Sequence, residues 1–327
     1  MEYRKLGNSG LDVSVIGLGT NNFGNPKRIP DPAQSARVVH KCLDVGINFI
    51  DTAISYGQGQ SEVHLGEALK GRRHEAIIAT KYNLTKLEGQ WPRDRVMQEV
   101  EKSLRNLQTD YIDLYQLHNP SQDLSHEEVL EPLNELVEQG KVRAIGASNY
   151  SGWRHAQADA TSAQRGWARF ESSQSYYNLF RRQAELELLP FCTAANAGFL
   201  PYYPLAGGWL TGKYSSGATA VPERARGMVG KLQGDDAALA TLGKLDAYAN
   251  EHGHSMLDLA FSWLLAHPAV SSVIAGAMTE EQVEANAAAG DWVMTIEERD
   301  AVDAIAPWDG TGNEIDSFGM GGVPPRR

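Results

Sequence analysis

The sequence predicts a single (β/α)8 TIM barrel, a closed ring of eight parallel strands wrapped by helices. Three observations predict it. Short apolar runs alternate with helix-length amphipathic stretches, the pattern of βαβ units and a parallel sheet. The runs number eight, beginning near positions 15, 47, 76, 111, 142, 171, 199 and 272. No Gly-x-Gly-x-x-Gly opens a helix, which weakens the open doubly wound sheet as the alternative. Gly17-Leu18-Gly19 lacks the third glycine and precedes no obvious helix.

Length and composition agree with one such domain. The chain has 327 residues, 42% hydrophobic and 22% charged, ordinary values for a globular protein and unlike a disordered chain or a disulfide scaffold. Lys plus Arg is 30 against 41 Asp plus Glu, a net charge of −11. An acidic chain suits neither nucleic acid nor an anionic membrane. Cys42 and Cys192 sit in apolar stretches and read as buried, reduced thiols of a reducing compartment. Met1 to Gly7 carries charge at once and has no apolar signal core. The best candidate for a membrane span, Met256–Met278, is broken by Asp258, His267 and Pro268, whereas a span needs about 20 apolar residues. A cytoplasmic protein without a membrane segment is expected.

The elements follow in order. Tyr3–Leu6 and Leu11–Ser14 flank Asn8-Ser9-Gly10 and read as a hairpin capping the barrel's bottom. Val15–Gly19 is the first barrel strand. Asp31 and Pro32 are N-cap and first residue of a helix with Val38, Val39, Cys42 and Leu43 on its apolar face and Gly46 at its end. Ile47–Ile50 and Ala76–Thr80 are strands. Met97, Val100, Leu104 and Leu107 then recur at helical spacing over Asp94–Leu107. Tyr111–Leu117 is a strand, and Ser125 with Glu128 reads as a capping box for the next helix. Its apolar face carries Val129, Leu133, Leu136 and Val137, and Gly140 ends it. Pro132 is expected to kink this helix or delay its start. Val142–Ala147, a helix over Ser151–Gln164, Glu171–Ser175, a helix over Gln183–Ala195, Phe199–Tyr203 and Ser272–Ala275 complete the alternation. Thr279 with Gln282 and Thr295 with Glu298 are further capping boxes, the second opening an extra C-terminal helix. Gly207–Gly243 reads as a long loop after the seventh strand. The barrel domain is expected over 1–308, with a flexible Gly/Pro-rich tail over 309–327.

In such a barrel, polar residues just past the strand ends converge on one face. Asp51 follows Ile-Asn-Phe-Ile, Lys81 follows Ile-Ile-Ala-Thr, and His118 follows Leu-Tyr-Gln-Leu. Ser148 and Asn149 follow Ala-Ile-Gly-Ala, and Gln174 and Tyr202 hold similar places on later strands. Tyr56 lies on the loop beyond Asp51, with Gly57 beside it. Each alone has an ordinary reading: a helix cap, a solvated lysine, a rim histidine, a packed tyrosine. The coincidence on one rim is the signal. A buried lysine beside a phenol is expected to lower the tyrosine pKa from about 10, with Asp51 keeping Lys81 charged. Tyr56 then becomes a general acid, and His118 orients a carbonyl oxygen. The set suits protonating an oxygen while hydride arrives at its carbon.

These residues lie in a series of motifs. Gly-Ile-Asn-Phe-Ile-Asp-Thr-Ala at 46–53, Tyr56-Gly57, Ser61-Glu62, Leu65-Gly66, Thr80-Lys81 and Leu117-His118 come first. Gly140-Lys141-Val142-Arg143, Gly146-Ala147-Ser148-Asn149 and Pro204–Tyr214 follow. In this order they resemble the aldo-keto reductase superfamily, from about Tyr3 to Ile305. The resemblance implies the eight-fold barrel and a catalytic tetrad of Asp51, Tyr56, Lys81 and His118, with Tyr56 as proton donor. It implies that Ser148, Asn149 and Gln174 hold a nicotinamide carboxamide and that Tyr202 stacks under the ring. Pro204, Leu205, Ala206, Gly207, Leu210, Gly212 and Lys213 resemble the segment that wraps the pyrophosphate, where glycine lets backbone N–H groups approach phosphate. Gly276, Met278, Gln282 and Asn286 fall at the adenosine end, and Gly19 and Thr20 at the cofactor side of the first strand.

The sequence departs from the family pattern at some points. Met278 and Gln282 are uncharged where many NADPH-preferring members carry Lys or Arg. Arg224 and Arg226 on the long loop are expected to contact phosphate instead. NADP(H) is the expected cofactor on family habit, with NAD(H) the alternative. Asn119-Pro120 follows His118 in place of a commoner run, and Tyr203 stands where serine is commoner. The expected substrate is a small carbonyl compound or its alcohol. Phe23, Tyr56, Trp91, Tyr150 and Trp209 are candidate pocket aromatics, with Asn21, Asn22, Asn119 and His118 as polar contacts and Trp308 folding over. Potassium-channel β-subunits also resemble this family, which makes a cofactor-sensing binding module the alternative to an enzyme. A Schiff-base aldolase using Lys81 leaves the later motifs without a role. A metal-dependent hydrolase lacks clustered ligands at the strand ends.

Overall fold

The computed structural model describes residues 1–84, 87, 89–214, 235–308 and 310. The fold opens with an antiparallel hairpin, β1 (Tyr3–Lys5) and β2 (Asp12–Ser14), with Tyr3 opposite Ser14. Eight strands then close a parallel barrel: β3 (Ile16–Gly19), β4 (Phe49–Asp51), β5 (Ile77–Tyr82), β6 (Ile112–Leu117), β7 (Val142–Ser148), β8 (Phe170–Tyr176), β9 (Gly198–Tyr202) and β10 (Val273–Gly276). They stand in chain order around the ring, and β10 pairs back onto β3 with Gly276 opposite Gly19. Outside run α1 (Pro32–Asp44), α2 (Gln60–Ala68), α3 (Pro92–Leu107), α4 (His126–Glu138), α5 (Gly152–Arg165) and α6 (Leu188–Ala195). After β9 come α7 (Asp236–Glu251) and α8 (Met256–Leu265), and after β10 come α9 (Glu280–Ala288) and α10 (Ile296–Ile305).

The eight-strand barrel, its hairpin and the C-terminal helix match the expectation; several local details differ. Strand β4 begins at Phe49 because Asn48 is engaged below it: Asn48 Nδ2 donates to Asp12 O and its Oδ1 accepts from Ser14 N, tying hairpin to barrel. Helix α4 starts at once under the Ser125–Glu128 capping box and runs unbroken across Pro132, whose neighbours Val129, Leu130, Leu133 and Leu136 are all buried. Cap and packing outweigh the one backbone bond that proline forfeits. The stretch expected as one helix from Gln183 splits into a 3-10 turn and α6. Pro190 sits in the first turn of α6, where its missing N–H costs nothing. The expected loop over Gly207–Gly243 is not loop at its two described ends: Ala206–Thr211 forms a 3-10 turn and Asp235 caps a helix at Asp236; positions 215–234 lie outside the described residues, as do 309 and 311–327 of the expected tail. Thr279 caps α9, but Gln282 accepts from Met278 N, so only half of that capping box forms.

The barrel interior has two layers. The lower is apolar: Phe49, Ala79, Leu114, Ala144, Leu200 and Ile274 pack on Leu6, Leu11 and Val13 of the hairpin region. Gly198 leaves room for this plug, because a Cβ there would come within 2.7 Å of Leu6 Cδ1. The upper layer is polar and faces the strands' C-terminal ends. A larger apolar cluster fills the space between sheet and helices, and it includes Cys42 and Cys192, free thiols that burial pushes up to about 12. Among the described residues no helix is long and apolar enough to cross a membrane.

Candidate active site

Asp51 ends β4 and Lys81 lies in β5, and both side chains turn into the upper layer, where they are 4% and 0% exposed. Lys81 Nζ donates to Asp51 Oδ2 at 2.6 Å, to Thr52 O at 2.7 Å and to the Tyr56 hydroxyl at 3.4 Å. Three acceptors around one ammonium satisfy its donors, which offsets the desolvation of the charge. A hydroxyl network of Thr20, Ser61 and Thr52 backs this corner: Ser61 Oγ lies 2.8 Å from Thr20 Oγ1 and 2.9 Å from Thr52 Oγ1.

Tyr56 is placed by a tight turn. Gly57, Gln58 and Gly59 all have positive φ, at 55°, 59° and 95°. Gly57 is required twice over, because a Cβ there would also come within 2.9 Å of Phe23 O. The Tyr56 ring meets His118 edge-on, with centroids 5.8 Å apart. His118 N donates to Tyr82 O, while its ring Nδ1 is buried without a partner. The four residues of the expected tetrad thus meet at one place.

The electrostatics correct one expectation. The Tyr56 phenol does not become more acidic; burial, then the Asp51 carboxylate, holds its pKa well above the usual value near 10. Lys81 spends its charge on Asp51, and burial draws its own pKa down. Tyr56 is therefore a protonated phenol that accepts from Lys81, leaving its own proton free for a third partner. Burial and then the Lys81 charge lower His118 to about 3, so its imidazole is neutral.

The residues assigned to the nicotinamide adjoin the tetrad. Gln174 Nε2 donates to Asp51 Oδ1 at 2.8 Å. Asn149, held at φ 61°, donates to His118 O at 3.0 Å and accepts from the Tyr202 hydroxyl at 2.8 Å. Its Nδ2 also lies 3.3 Å from Ser148 Oγ. Tyr202 is half-buried and stacks on Tyr176 at 5.7 Å. After Pro204 the chain turns through Leu205, Ala206 and Gly207, with Gly208 N donating to Leu205 O; Leu210 is buried and Lys213 exposed. Gly276, Met278, Gln282 and Asn286 form a separate corner, in which Gln34 from α1 donates to Met278 O at 2.8 Å. Gly19 pairs with Asp51 across β3 and β4, and Thr20 is buried with N and Oγ1 on Asp51 O. Arg224 and Arg226 lie outside the described residues.

The expected pocket aromatics separate. Phe23, Tyr150 and Trp209 are buried in the core, Trp209 stacked on Tyr214, and a side chain without exposed surface cannot line an opening. Trp91 is 75% exposed at the head of α3, and Trp308 stands half-buried after α10. Asn22 accepts from Arg28, and Asn21 is half-buried beside it. Asn119 does adjoin the centre: it accepts from Asn149 at 3.1 Å and donates to Asn83 at 3.0 Å. Asn83, Thr52 and Gln116 escaped the sequence reading. Gln116 Nε2 lies 3.4 Å from Asp51 Oδ1, and its only mark was a polar residue inside the apolar run Leu-Tyr-Gln-Leu.

Two other sites are set aside on their chemistry. A cavity of about 500 Å³ on the barrel's outside is lined by Arg182, Glu185, His267 and Asp303, but Arg182 pairs with both acids, leaving their charges satisfied. Among the described residues no group of three His, Cys, Asp or Glu could hold a metal ion.

A sequence profile of the Aldo/keto reductase family matches residues 15–307. The chain belongs to this family. The aldo-keto reductase YhdN of Bacillus subtilis (strain 168) is 36% identical over 315 residues, 93% of each chain. Versiconal hemiacetal acetate reductase of Aspergillus parasiticus is 29% identical over 327 residues, covering 91% of this chain and 95% of that one. A probable voltage-gated potassium channel subunit beta of Oryza sativa subsp. japonica is 31% identical over 323 residues, covering 93% and 96%. The protein is an aldo-keto reductase by family and fold, with oxidoreductases among its relatives.

Proposed function

We propose that the protein is a cytoplasmic NAD(P)H-dependent reductase of small aldehydes or ketones, working reversibly, with Tyr56 as the proton donor. The observation that carries this reading is the buried chain from Asp51 through Lys81 to the Tyr56 hydroxyl, at 2.6 and 3.4 Å. The residues fit a nicotinamide dinucleotide. Ser148, Asn149 and Gln174 offer hydroxyl and amide groups side by side, and Tyr202 offers a half-buried ring. A Cβ on Gly208 would meet nothing within 4 Å among the described residues, which leaves its backbone approachable by a pyrophosphate. When bound, the nicotinamide supplies the hydride.

The chain's own residues do the rest. Lys81 gives its two short bonds to Asp51 and Thr52, yet its ammonium still stands 3.4 Å from the phenol oxygen, a fixed cation beside the negative charge that proton transfer leaves there. His118, neutral, can hydrogen-bond the carbonyl oxygen without competing as an acid. NADP(H) remains favoured and NAD(H) the alternative. Met278 and Gln282 offer no charge to a 2′-phosphate, which keeps the choice with the experiment. An acidic chain gives nucleic acid no footing as a partner.

Turnover of 4-nitrobenzaldehyde and a carbonyl panel, with each cofactor in turn, tests the reading. Tyr56→Phe is expected to lose about 10²–10⁴-fold in kcat, the range of a positioned general acid, while still binding cofactor. Near-normal turnover in that variant would refute the assigned acid. The likeness to potassium channel β-subunits favours a second reading, a cofactor-sensing module with little turnover. It would be signalled by tight cofactor binding and no reduction of any carbonyl.

A further inference from the structure

Gln116 has no part in the mechanism above, yet it is fully buried in the catalytic layer. It stands in β6 level with Lys81 on β5 and Gly146 on β7. Its Nε2 donates to Asp51 Oδ1 at 3.4 Å, the same oxygen that accepts Gln174 Nε2 at 2.8 Å. Asp51 Oδ2 meanwhile accepts from Lys81 at 2.6 Å. Space for the side chain comes from Gly146, where a Cβ would lie 3.2 Å from Gln116 Cγ and 2.3 Å from Ser172 Oγ. Two residues earlier on the same strands, Leu114 and Ala144 belong to the apolar lower layer. An aliphatic side chain of similar length suits such surroundings better than an amide, and Gln116 Oε1 has no hydrogen-bond partner. Packing therefore does not account for a glutamine here; its donor to Asp51 does.

We propose that Gln116 is a positioning residue of this centre. Its amide, with that of Gln174, holds one oxygen of Asp51 so that the other grips Lys81, and through Lys81 it sets the Tyr56 hydroxyl. The charged groups facing it are Asp51 from β4 and Lys81 from β5, and Gln174 and Ser172 of β8 are its polar neighbours. The kinetic consequence rests on Tyr56 being the proton donor; the contact with Asp51 does not.

The test uses the full chain carrying Gln116→Leu, Gln116→Glu, Asp51→Asn, or the last two together. Thermal unfolding from pH 5 to 8 comes first, because it needs no turnover. Gln116→Glu sets a second carboxyl against Asp51, so its Tm deficit should widen as pH rises and the new group ionises. Adding Asp51→Asn exchanges amide and carboxylate between the two positions and should narrow that deficit. Strictly additive deficits would overturn the proposal. Kinetics come second. Gln116→Leu should lower kcat by roughly tenfold to a hundredfold, as a misplaced catalytic group does, with KM and cofactor Kd little changed. Wild-type kcat in that variant would equally overturn it; Gln116→Met replaces it if leucine prevents folding. If the wild-type protein reduces no carbonyl with either cofactor, the proposed function fails, while the unfolding cycle still decides whether Gln116 supports Asp51.

Discussion

A phenol beside an ammonium is expected to part with its proton more easily, and at Tyr56 the opposite holds. Lys81 stands 3.4 Å away, but it donates to Asp51 and Thr52 at 2.6 and 2.7 Å, and the desolvated phenol keeps its proton. A phenol that stays protonated is the form that the proposed proton donor requires. His118 carries a sharper expectation. Its imidazole, lowered to about 3, does not titrate near its ordinary value of about 6.5. The profile of log kcat against pH should therefore show no histidine limb between about pH 5 and 8. An inflection near pH 6.5 that vanishes in His118→Asn would contradict this assignment. The meeting of Asp51, Lys81, Tyr56 and His118 was legible because each is a polar residue at or past the end of an apolar run. Gln116 was not, because one amide inside a run looks like ordinary strand variation. Phe23, Tyr150 and Trp209 misled for a related reason: aromatic character says that a side chain will be covered, not whether protein or ligand covers it.

At the scale of elements, one cluster ties three barrel strands together below the chemistry. Asp113 in β6 is 1% exposed and accepts from Arg73 at 2.7 Å, from Arg143 of β7 at 2.9 Å and from Ile78 N of β5 at 2.9 Å. Both guanidiniums also lie over the Tyr111 ring, at 4.1 and 4.3 Å. Removing one partner of a buried ion pair costs about 3–5 kcal/mol. Asp113→Ala should fall at the low end of that range, since Arg143 is 55% exposed. Chemical denaturation read by tryptophan fluorescence measures the loss; a change below about 1 kcal/mol, the worth of a surface pair, would show the cluster to be incidental. Helix caps were the most legible elements: Asp31, Ser125 and Thr295 each accept from the backbone where their spacing placed them. Strand ends were less so, because Asn48 reads as part of an apolar run until the hairpin claims its side chain. Pro132 shows that a local rule yields when a capping box and a buried face agree against it.

For the whole molecule, burial of histidines ties stability to pH. His155 and His267 are each lowered to about 4, with burial as the main cause. Below about pH 6.5 the unfolded chain binds protons that the folded chain refuses. Stability from these groups is thus complete above about pH 6.5 and lost as pH falls toward 4. Glu62, whose carboxyl burial raises, acts in the opposite sense. With His118 the strongly lowered histidines number three, and Glu171 joins Glu62 among the acids that burial raises; three histidines against two acids should leave a net decline, visible as a falling Tm between pH 7 and about 4.5, and a level Tm over that interval would show the two effects to cancel. The barrel itself was legible from the count of apolar runs, since eight βα units close on themselves in few other ways.

The apolar plug beneath the ring has a consequence for traffic. With Leu6, Leu11 and Val13 packed under the strands, the described residues close the lower end of the ring with apolar side chains. On the proposed mechanism, a phenol that has given up its proton is recharged through the same doorway by which the alcohol departs. Replenishing the acid and clearing the product are then a single queue, and whatever lingers in the doorway delays both.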